Sequence, residues 1–313
     1  MRGVYCDGAS VQFHRNLPRP EPMADEISLK VRVVGICDTD IQLARGYMGF
    51  QGIPGHEFVA ETSSGKRVTA EINNACHHCA ACEAGRQAHC PNRTVLGIFR
   101  HDGAMADYVN VPARNLHEIP DSIDDHAAVF IEPLAAAFRI TEQIEVGPDQ
   151  TMAVLGDGKL GLLCAWVARL RGSRVHLVGK HPEKLALAGE GILTHSVDEA
   201  LTMGRVFDVV ADCTGSKTGL PTALKLVEPC GIIVLKTTIA GQYTVDLSPI
   251  VIDEVKVIGS RCGPFPKAIA ALQARLVDVR PLIGGIYHLD AAEDAFRAAS
   301  SKGARKILMD VNC

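Results

Sequence analysis

A cysteine, a histidine and a carboxylate early in the sequence offer the side chains that a catalytic metal site needs. Cys37 lies in Gly-Ile-Cys-Asp-Thr-Asp at 35–40, and His56 and Glu57 end the segment Pro-Gly-His-Glu at 54–57. Sulfur, imidazole nitrogen and carboxylate oxygen together suit zinc, and a mixed set with one open position is typical of catalytic zinc. The alternative interpretation is a buried structural cysteine and a core histidine, and these residues alone favour neither.

Four further cysteines lie close enough in sequence to enclose a metal ion by themselves. They are Cys76, Cys79, Cys82 and Cys90, separated by two, two and seven residues. Four thiolates satisfy the tetrahedral coordination of zinc and leave no position for a substrate. The spacing therefore predicts a closed structural zinc site that fixes a loop, and the alternative is four unrelated thiols.

Glu132 is a further candidate ligand, because it stands in an apolar setting just before Pro133 and a predicted helix. It could be a helix N-terminal acid that the helix dipole favours. It could equally be a metal ligand or a proton acceptor linked to the metal.

The elements that position these residues begin with β structure. Apolar and polar residues alternate over 27–33, which predicts a half-buried strand that leads into Cys37. From residue 151 onward the pattern changes to alternating strands and helices. A predicted strand over 151–155 leads into Gly156-Asp157-Gly158-Lys159-Leu160-Gly161, followed by a helix over 159–171 and a strand over 174–178.

A lone G-x-G-x-x-G is a weak signal, but this one lies between a strand and a helix within a βαβ unit. That context favours dinucleotide binding over a plain glycine turn. The glycines allow a pyrophosphate to approach the helix N-terminus closely.

Further strands are predicted over 206–212, 232–235 and 255–258, with a helix over 217–227 between the first two. This alternation predicts a doubly wound parallel sheet with its ligand at the carboxyl ends of the strands. Thr214 and Gly215, which follow the first of these strands, are therefore candidate cofactor-binding residues.

Length and composition limit the classes of protein that remain. With 313 residues the chain is expected to form two domains. A net charge of −4 gives no reason to expect nucleic acid or an anionic membrane as partner. No apolar run reaches the roughly 18 residues of a membrane span, and residues 1–10 lack the features of a signal peptide. We therefore expect a cytoplasmic protein in which five of the eleven cysteines, Cys37, Cys76, Cys79, Cys82 and Cys90, bind metal, while the other six are small apolar residues or free thiols rather than disulfides.

Together these motifs make the chain resemble the zinc-containing medium-chain alcohol dehydrogenases, in the branch of threonine, sorbitol and glucose dehydrogenases. The resemblance covers nearly the whole length, and includes Gly259-Ser260-Arg261 besides the motifs above. It implies an α/β fold in which a GroES-like β catalytic domain, 1–135 and 263–313, is interrupted by a Rossmann domain, 136–262. The family's active site lies between the two domains.

The resemblance also implies roles for the candidate ligands. Cys37 and His56 match the first two ligands of the catalytic zinc. Glu132 takes the position of a ligand that is cysteine in many alcohol dehydrogenases and glutamate in the polyol branch. Glu57 matches a carboxylate that is a ligand in the polyol branch and a neighbour of the ligands elsewhere. Two zinc ions are implied, one catalytic and one structural.

Thr39 matches the hydroxyl that takes the substrate proton, and Asp40 helps to hold the site. The implied activity is hydride transfer between a small-molecule alcohol (a polyol, sugar or amino alcohol) and a nicotinamide cofactor, in a homo-oligomer, dimer or tetramer. The alternative is a dinucleotide-binding sensor or interaction protein on the same fold, without zinc catalysis. Three departures stand out. The segment between Glu61 and Arg67 is short, Gln42 replaces a histidine that relays protons in many members, and the position after the second Rossmann strand is unusual.

The residues after the second Rossmann strand predict NADP rather than NAD. An NAD site places an acid roughly 20 residues beyond the glycine turn, where it accepts from the ribose 2′-hydroxyl. Here the strand runs instead into Gly179-Lys180-His181, with Lys184 a turn later. Gly179 is expected to leave room for a 2′-phosphate and Lys180 to supply a cation. The alternative is that Lys180 and Lys184 are solvated surface charges.

Overall fold

The computed structural model describes residues 1–239 and 242–311, which form two compact units. One consists of Met1–Glu132 and Ala268–Cys313, and the other of Pro133–Lys267. The predicted domains, 1–135 with 263–313 and 136–262, have boundaries within a few residues of these units, and as a domain assignment they stay a prediction.

The secondary structure is numbered here in chain order. The strands are β1 Gly3–Cys6, β2 Val11–His14, β3 Glu26–Gly35, β4 Glu57–Glu61, β5 Arg67–Ala70, β6 Asn73–Asn74, β7 Thr94–Val95, β8 Tyr108–Pro112, β9 Leu116–Glu118, β10 Thr151–Leu155, β11 Arg174–Gly179, β12 Ile192–Ser196, β13 Phe207–Asp212, β14 Val227–Leu235, β15 Lys256–Gly259, β16 Ile283–His288 and β17 Lys306–Asp310. The α-helices are α1 Asp38–Leu43, α2 Ala80–Glu83, α3 Asp125–Ala128, α4 Ile131–Phe138, α5 Ile140–Gln143, α6 Lys159–Leu170, α7 Pro182–Leu185, α8 Val197–Met203, α9 Gly219–Leu224, α10 Ser248–Ile252, α11 Phe265–Gln273 and α12 Ala292–Ala299. Of the helices in the described ranges, none combines the length and the apolar character that crossing a bilayer requires.

The unit 133–267 contains a six-stranded parallel sheet in the order β12-β11-β10-β13-β14-β15. Its inner strands are apolar and buried because helices cover the sheet, and side chains of β10, β13 and β14 pack with α8 and α9 in one cluster. Leu155 of β10 pairs with Val178 of β11 and Asp212 of β13, so the loops after these three strands meet at one edge. The predicted doubly wound parallel sheet is confirmed.

Strand β12 and the helix α8 that follows it were not predicted from the sequence. Strand β12 lies at the sheet edge, where Leu193 is 51% exposed. Because its side chains are less buried, the strand lacks the apolar pattern of the inner strands. Helix α8 follows it directly from a capping box formed by Ser196 and Glu199. The predicted helix over 217–227 is shorter in the structure, because Val227 already begins β14.

The other unit is built on a seven-stranded sheet in the order β16-β17-β3-β4-β5-β9, with β8 also paired to β3. The long strand β3 is central, and its partners run antiparallel to it. Gly35 pairs with Glu57 of β4 and with Leu308 of β17. This register brings the end of β3, the start of β4 and the start of β17, which is Lys306, to one place. Cys37 follows β3 at that place.

Candidate metal and cofactor sites

Side chains from two segments of the chain form a mixed cluster of sulfur, nitrogen and oxygen. The ligand atoms of Cys37, His56 and Glu57 all lie within 4.8 Å of one another. Cys37 is half-buried at the start of α1, whereas His56 and Glu57 are buried. Soft, borderline and hard donors at this separation fit a zinc ion, and the half-buried thiol gives the cluster one accessible side.

The fully buried Asp40 ties two of these segments together. Its carboxylate accepts from the backbone N–H of Cys37 at 2.8 Å and from that of Gly55 at 3.2 Å. Asp40 Oδ1 also lies 3.4 Å from His56 Nδ1, but this buried nitrogen makes no aligned hydrogen bond. Burial opposes the charged imidazolium, yet Asp40 and Cys37 together raise the pKa of His56 well above its usual value. The cluster therefore carries a negative field that favours a cation.

Lys306 is a functional neighbour that reasoning from the sequence missed. It is 1% exposed, and its Nζ forms an ion pair with Glu57 Oε2 and donates to the carbonyl of Ile36 at 3.3 Å. Burial disfavours the ammonium, but Glu57 and Cys37 raise the pKa of Lys306, so it remains charged. A side chain at Gly35 would not fit here, since its Cβ would lie 2.7 Å from Val129 and 3.0 Å from Glu57 Oε2. The available signal was a lysine at the start of the apolar run Lys306-Ile-Leu-Met.

The remaining candidates lie on α1 and α4. Thr39 and Gln42 are half-buried on α1 and are three residues apart, which places them on the same face of the helix. Glu132 is buried in the first turn of α4. Among the described residues, it does not belong to the set whose ligand atoms lie within 4.8 Å of one another. The ligand and proton-transfer roles of Thr39, Glu57 and Glu132 stay predictions.

The four cysteines of residues 76–90 converge on one point. The Sγ atom of Cys79 is 3.6 Å from that of Cys82 and 3.7 Å from that of Cys90, and Cys90 is 3.5 Å from Cys76. A zinc ion with Zn–S bonds of about 2.3 Å separates tetrahedral sulfurs by roughly 3.8 Å, so the arrangement fits zinc. Strands β6 and β7 pair antiparallel on either side of this segment and close its base.

The thiols of this lobe affect one another's ionisation. The backbone N–H of His78 lowers the pKa of Cys76 to about 6. Burial, with Cys79 close by, raises the pKa of Cys82 to about 12. Four thiolates at such distances repel one another unless a cation lies between them. A dication is therefore the natural occupant.

The glycine-rich turn after β10 has the geometry that a pyrophosphate requires. Gly156 has φ +110°, and a Cβ at Gly161 would lie 1.8 Å from its carbonyl oxygen, so both positions demand glycine. Among the described residues other than its chain neighbours, none has an atom within 4 Å of the Cβ position of Gly158, the N-cap of α6, so its surface is open to a ligand. Lys159 and Leu160 form the first turn of that helix.

The other predicted cofactor residues lie at the same edge of the sheet. After β13, Thr214 donates through its backbone and its hydroxyl to Asp212 Oδ1, and Gly215 donates to the hydroxyl of Thr237. After β11, the backbone N–H groups of Lys180 and His181 donate to a single carboxylate, that of Asp157 in the glycine-rich turn.

One expectation about this edge is wrong. Gly179 does not leave room for a phosphate beside it, because its Cβ position lies only 2.4 Å from Asp157 Oδ2. The acid was overlooked because it stands within the turn rather than after the second strand. Of the two lysines, Lys180 is exposed whereas Lys184 is buried, so the alternative of a solvated surface charge does not hold for Lys184.

Comparison with known proteins gives full-length similarity. The family profile "Alcohol dehydrogenase GroES-like domain" matches residues 23–121, and "Zinc-binding dehydrogenase" matches residues 160–276. A sorbitol dehydrogenase from Halalkalibacterium halodurans is 27% identical over 93% of each chain. An L-threonine 3-dehydrogenase from Chelativorans sp. is 29% identical over 94% of each chain.

Solved structures agree with this assignment. A putative zinc-binding dehydrogenase from Sinorhizobium meliloti 1021, bound to NADP, is 28% identical and superposes with a TM-score of 0.88 over 99% of both chains. The rspB alcohol dehydrogenase from Escherichia coli CFT073, complexed with NADH, is 25% identical with the same TM-score and coverage. The predicted fold class, a GroES-like catalytic domain with a Rossmann domain, is confirmed.

Dehydrogenase profiles match both parts of the chain in order, and full-length relatives preserve that order. The chain therefore belongs to the zinc-containing medium-chain alcohol dehydrogenase family, in its threonine and sorbitol dehydrogenase branch, and it is a zinc-dependent alcohol oxidoreductase with a nicotinamide cofactor.

Proposed function

We propose that this dehydrogenase oxidises a hydroxyl group of a polyol, sugar or amino alcohol at the mixed cluster. The observation that carries the proposal is the convergence of Cys37, His56 and Glu57 within 4.8 Å, on an accessible side of a buried and negatively charged site. Cys37 and His56 hold the catalytic zinc, and Glu132 completes the ligand set. Glu57 is the adjoining carboxylate, because its Oε2 is already engaged by Lys306.

The zinc, when bound, supplies a Lewis acid that lowers the pKa of the substrate hydroxyl, and the nicotinamide accepts the hydride. The chain's own residues do the rest. Thr39 accepts the proton of the substrate hydroxyl while its own hydroxyl proton passes to the carboxylate of Glu132. Asp40 fixes Cys37 relative to the Gly55–His56 segment, so that the donors need little reorganisation when the metal binds.

The second zinc belongs to the lobe of Cys76, Cys79, Cys82 and Cys90 and supports structure only. Four thiolates fill its coordination, so no substrate can reach the metal. Binding there stabilises the folded loop directly, since the four side chains are brought together only in the folded state.

We further propose a cytoplasmic homo-oligomer that uses NADP. The ten cysteines in the described part of the chain form no disulfide, as a reducing compartment favours. Strand β15 forms an edge of its sheet, and nearby Val251 and Ile252 on α10 are 78% and 77% exposed, which supports pairing with a second copy as dimer or tetramer. Lys180 and His181, with no acid directly after β11, support NADP.

Metal analysis and a ligand screen test the main proposal. We expect two zinc ions per chain, and thermal stabilisation by polyols, sugars or amino alcohols in the presence of cofactor, since a ligand of the folded state raises its stability. Compounds that stabilise the chain should then produce reduced nicotinamide, measured by its absorbance. A chain with only the lobe zinc, binding dinucleotide but turning over no alcohol, would instead be a sensor or interaction protein.

A further inference from the structure

The carboxylate of Asp157 lies where the acid of an NAD-selective Rossmann site is expected, but it comes from a different element. That acid normally follows the second strand, which here ends at Gly179. Asp157 belongs to the glycine-rich turn, and its side chain fills the Cβ position of Gly179, with Oδ2, Cβ and Cγ at 2.4 to 2.6 Å. One carboxylate thus occupies the space at the strand end and excludes a side chain there.

The carboxylate of Asp157 accepts its hydrogen bonds from neighbouring residues of the chain itself. Its Oδ2 accepts from the backbone N–H groups of Lys180 at 2.6 Å and His181 at 2.7 Å, and the His181 ring Nδ1 lies 3.1 Å from both oxygens. The residue is 7% exposed. Burial raises its pKa, but the His181 ring and the two N–H groups outweigh burial and lower it, so the group is ionised at neutral pH. A carboxylate offers about four acceptor sites, and most of them are used here.

These contacts fix two consecutive basic residues at the place where the ribose 2′ position of a dinucleotide lies in this fold. Lys180 is exposed and His181 is half-buried at the start of α7. A flexible lysine binds phosphate as a point charge, and it binds more tightly when its backbone is already held, because less freedom is lost on binding.

We propose that Asp157 determines cofactor selectivity as a positioning residue: it anchors the Lys180–His181 segment so that the segment binds the 2′-phosphate of NADP, and it does not itself bind the ribose hydroxyls. This inference rests on the proposed dehydrogenase function and deepens its cofactor preference.

Fragments of the cofactor test the inference apart from catalysis. We would titrate the full-length, zinc-loaded chain with 2′,5′-ADP and with 5′-AMP by calorimetry. The parent should prefer 2′,5′-ADP. Asp157→Ala should lower the affinity for 2′,5′-ADP about tenfold, which is about 1.4 kcal/mol. The affinity of this variant for 5′-AMP should stay within about twofold of the parent's. Asp157→Asn, which keeps the shape and one acceptor oxygen, should restore part of that loss, and Asp198→Ala, at an exposed acid on α8, should change neither.

A second pair of variants tests whether Asp157 excludes a side chain at position 179. Gly179→Asp alone should weaken the binding of both fragments, since the new side chain collides with Asp157. The double variant of Asp157→Gly with Gly179→Asp should bind 5′-AMP and prefer it to 2′,5′-ADP. Three results would overturn the inference: a parent that binds the two fragments equally, an Asp157→Ala variant that loses 5′-AMP as strongly as 2′,5′-ADP, or a clean switch by Gly179→Asp alone. None of these touches the dehydrogenase assignment, which depends on zinc content and alcohol turnover.

Discussion

The two candidate metal-binding clusters of the unit 1–132 with 268–313 are built in opposite ways. The lobe of Cys76, Cys79, Cys82 and Cys90 takes all its donors from one stretch of chain, and all of them are thiols. The mixed cluster combines Cys37 after β3 with His56 just before β4 and Glu57 at its start, and Lys306 of β17 balances the charge of Glu57. A closed site can be local, whereas an open and asymmetric one requires the sheet to assemble it.

This difference predicts different consequences of the same type of damage. Losing a donor from the lobe should cost folding stability, because a metal bound there would stabilise the loop in place of a hydrophobic core. Losing a donor from the mixed cluster should cost chemistry, because the sheet around it is held by pairings of β3, β4 and β17 that do not depend on the metal.

The largest effect is expected for Cys37→Ser. Removal of a catalytic ligand forfeits several kcal/mol of transition-state stabilisation, so kcat/KM should fall about 10³- to 10⁴-fold. Zinc per chain should drop from two to one, while thermal unfolding stays within a few degrees of the parent. Full activity in this variant would remove Cys37 from the catalytic site.

The second largest effect is expected for Lys306→Met, which changes the charge balance of the mixed cluster. It leaves Glu57 buried without its partner, which should cost about 3–5 kcal/mol of unfolding free energy in urea titrations. The double variant with Glu57→Gln should recover most of that loss, because neither charge then remains buried. The exposed Lys302→Met is the control and should change stability by no more than about 0.5 kcal/mol. A stability loss as small as the control's would mean that Glu57 does not depend on Lys306.

Cys79→Ser is the counterpart in the lobe, with a smaller expected effect because three thiolates remain. The melting temperature should fall by about 2–4 °C for each kcal/mol lost in a unit of this size, or subunit assembly should weaken. Chains that stay folded and assembled should keep the parent's kcat. The exposed Cys230→Ser provides the matched control. Lost catalysis with unchanged stability and assembly would contradict the structural role.

The features that depend on residues close together in the chain could be predicted from the sequence alone. The cysteine lobe and the strand–turn–helix around Gly156 were predicted because their residues are neighbours in sequence. The ion pair of Lys306 with Glu57 joins residues 249 positions apart, and only the pairing of β17 with β3 and of β3 with β4 brings them together. Asp157 was missed for a related reason, since its role depends on a contact across neighbouring strands.

The smallest effect concerns proton exit, which the mixed cluster needs and the closed lobe does not. Gln42 lies three residues after Thr39 on α1, so the two side chains share a face, but an amide cannot gain and lose a proton as imidazole does. An imidazole has an unperturbed pKa of about 6.5, so Gln42→His supplies a relay at neutral pH. Because Thr39 is proposed to take the substrate proton already in the parent, kcat should rise by no more than about tenfold, well below the 10²–10⁴ range of general acid–base catalysis.

The pH profile of kcat distinguishes a relay from a packing change. In Gln42→His it should gain an ionisation near pH 6.5, with activity increasing as the imidazole becomes neutral and able to accept a proton. Gln42→Asn controls for altered packing and should show neither the increase nor the new ionisation. A histidine variant with the parent's kcat and pH profile would mean that protons leave by a route independent of α1, with the Glu132 carboxylate the next residue to substitute.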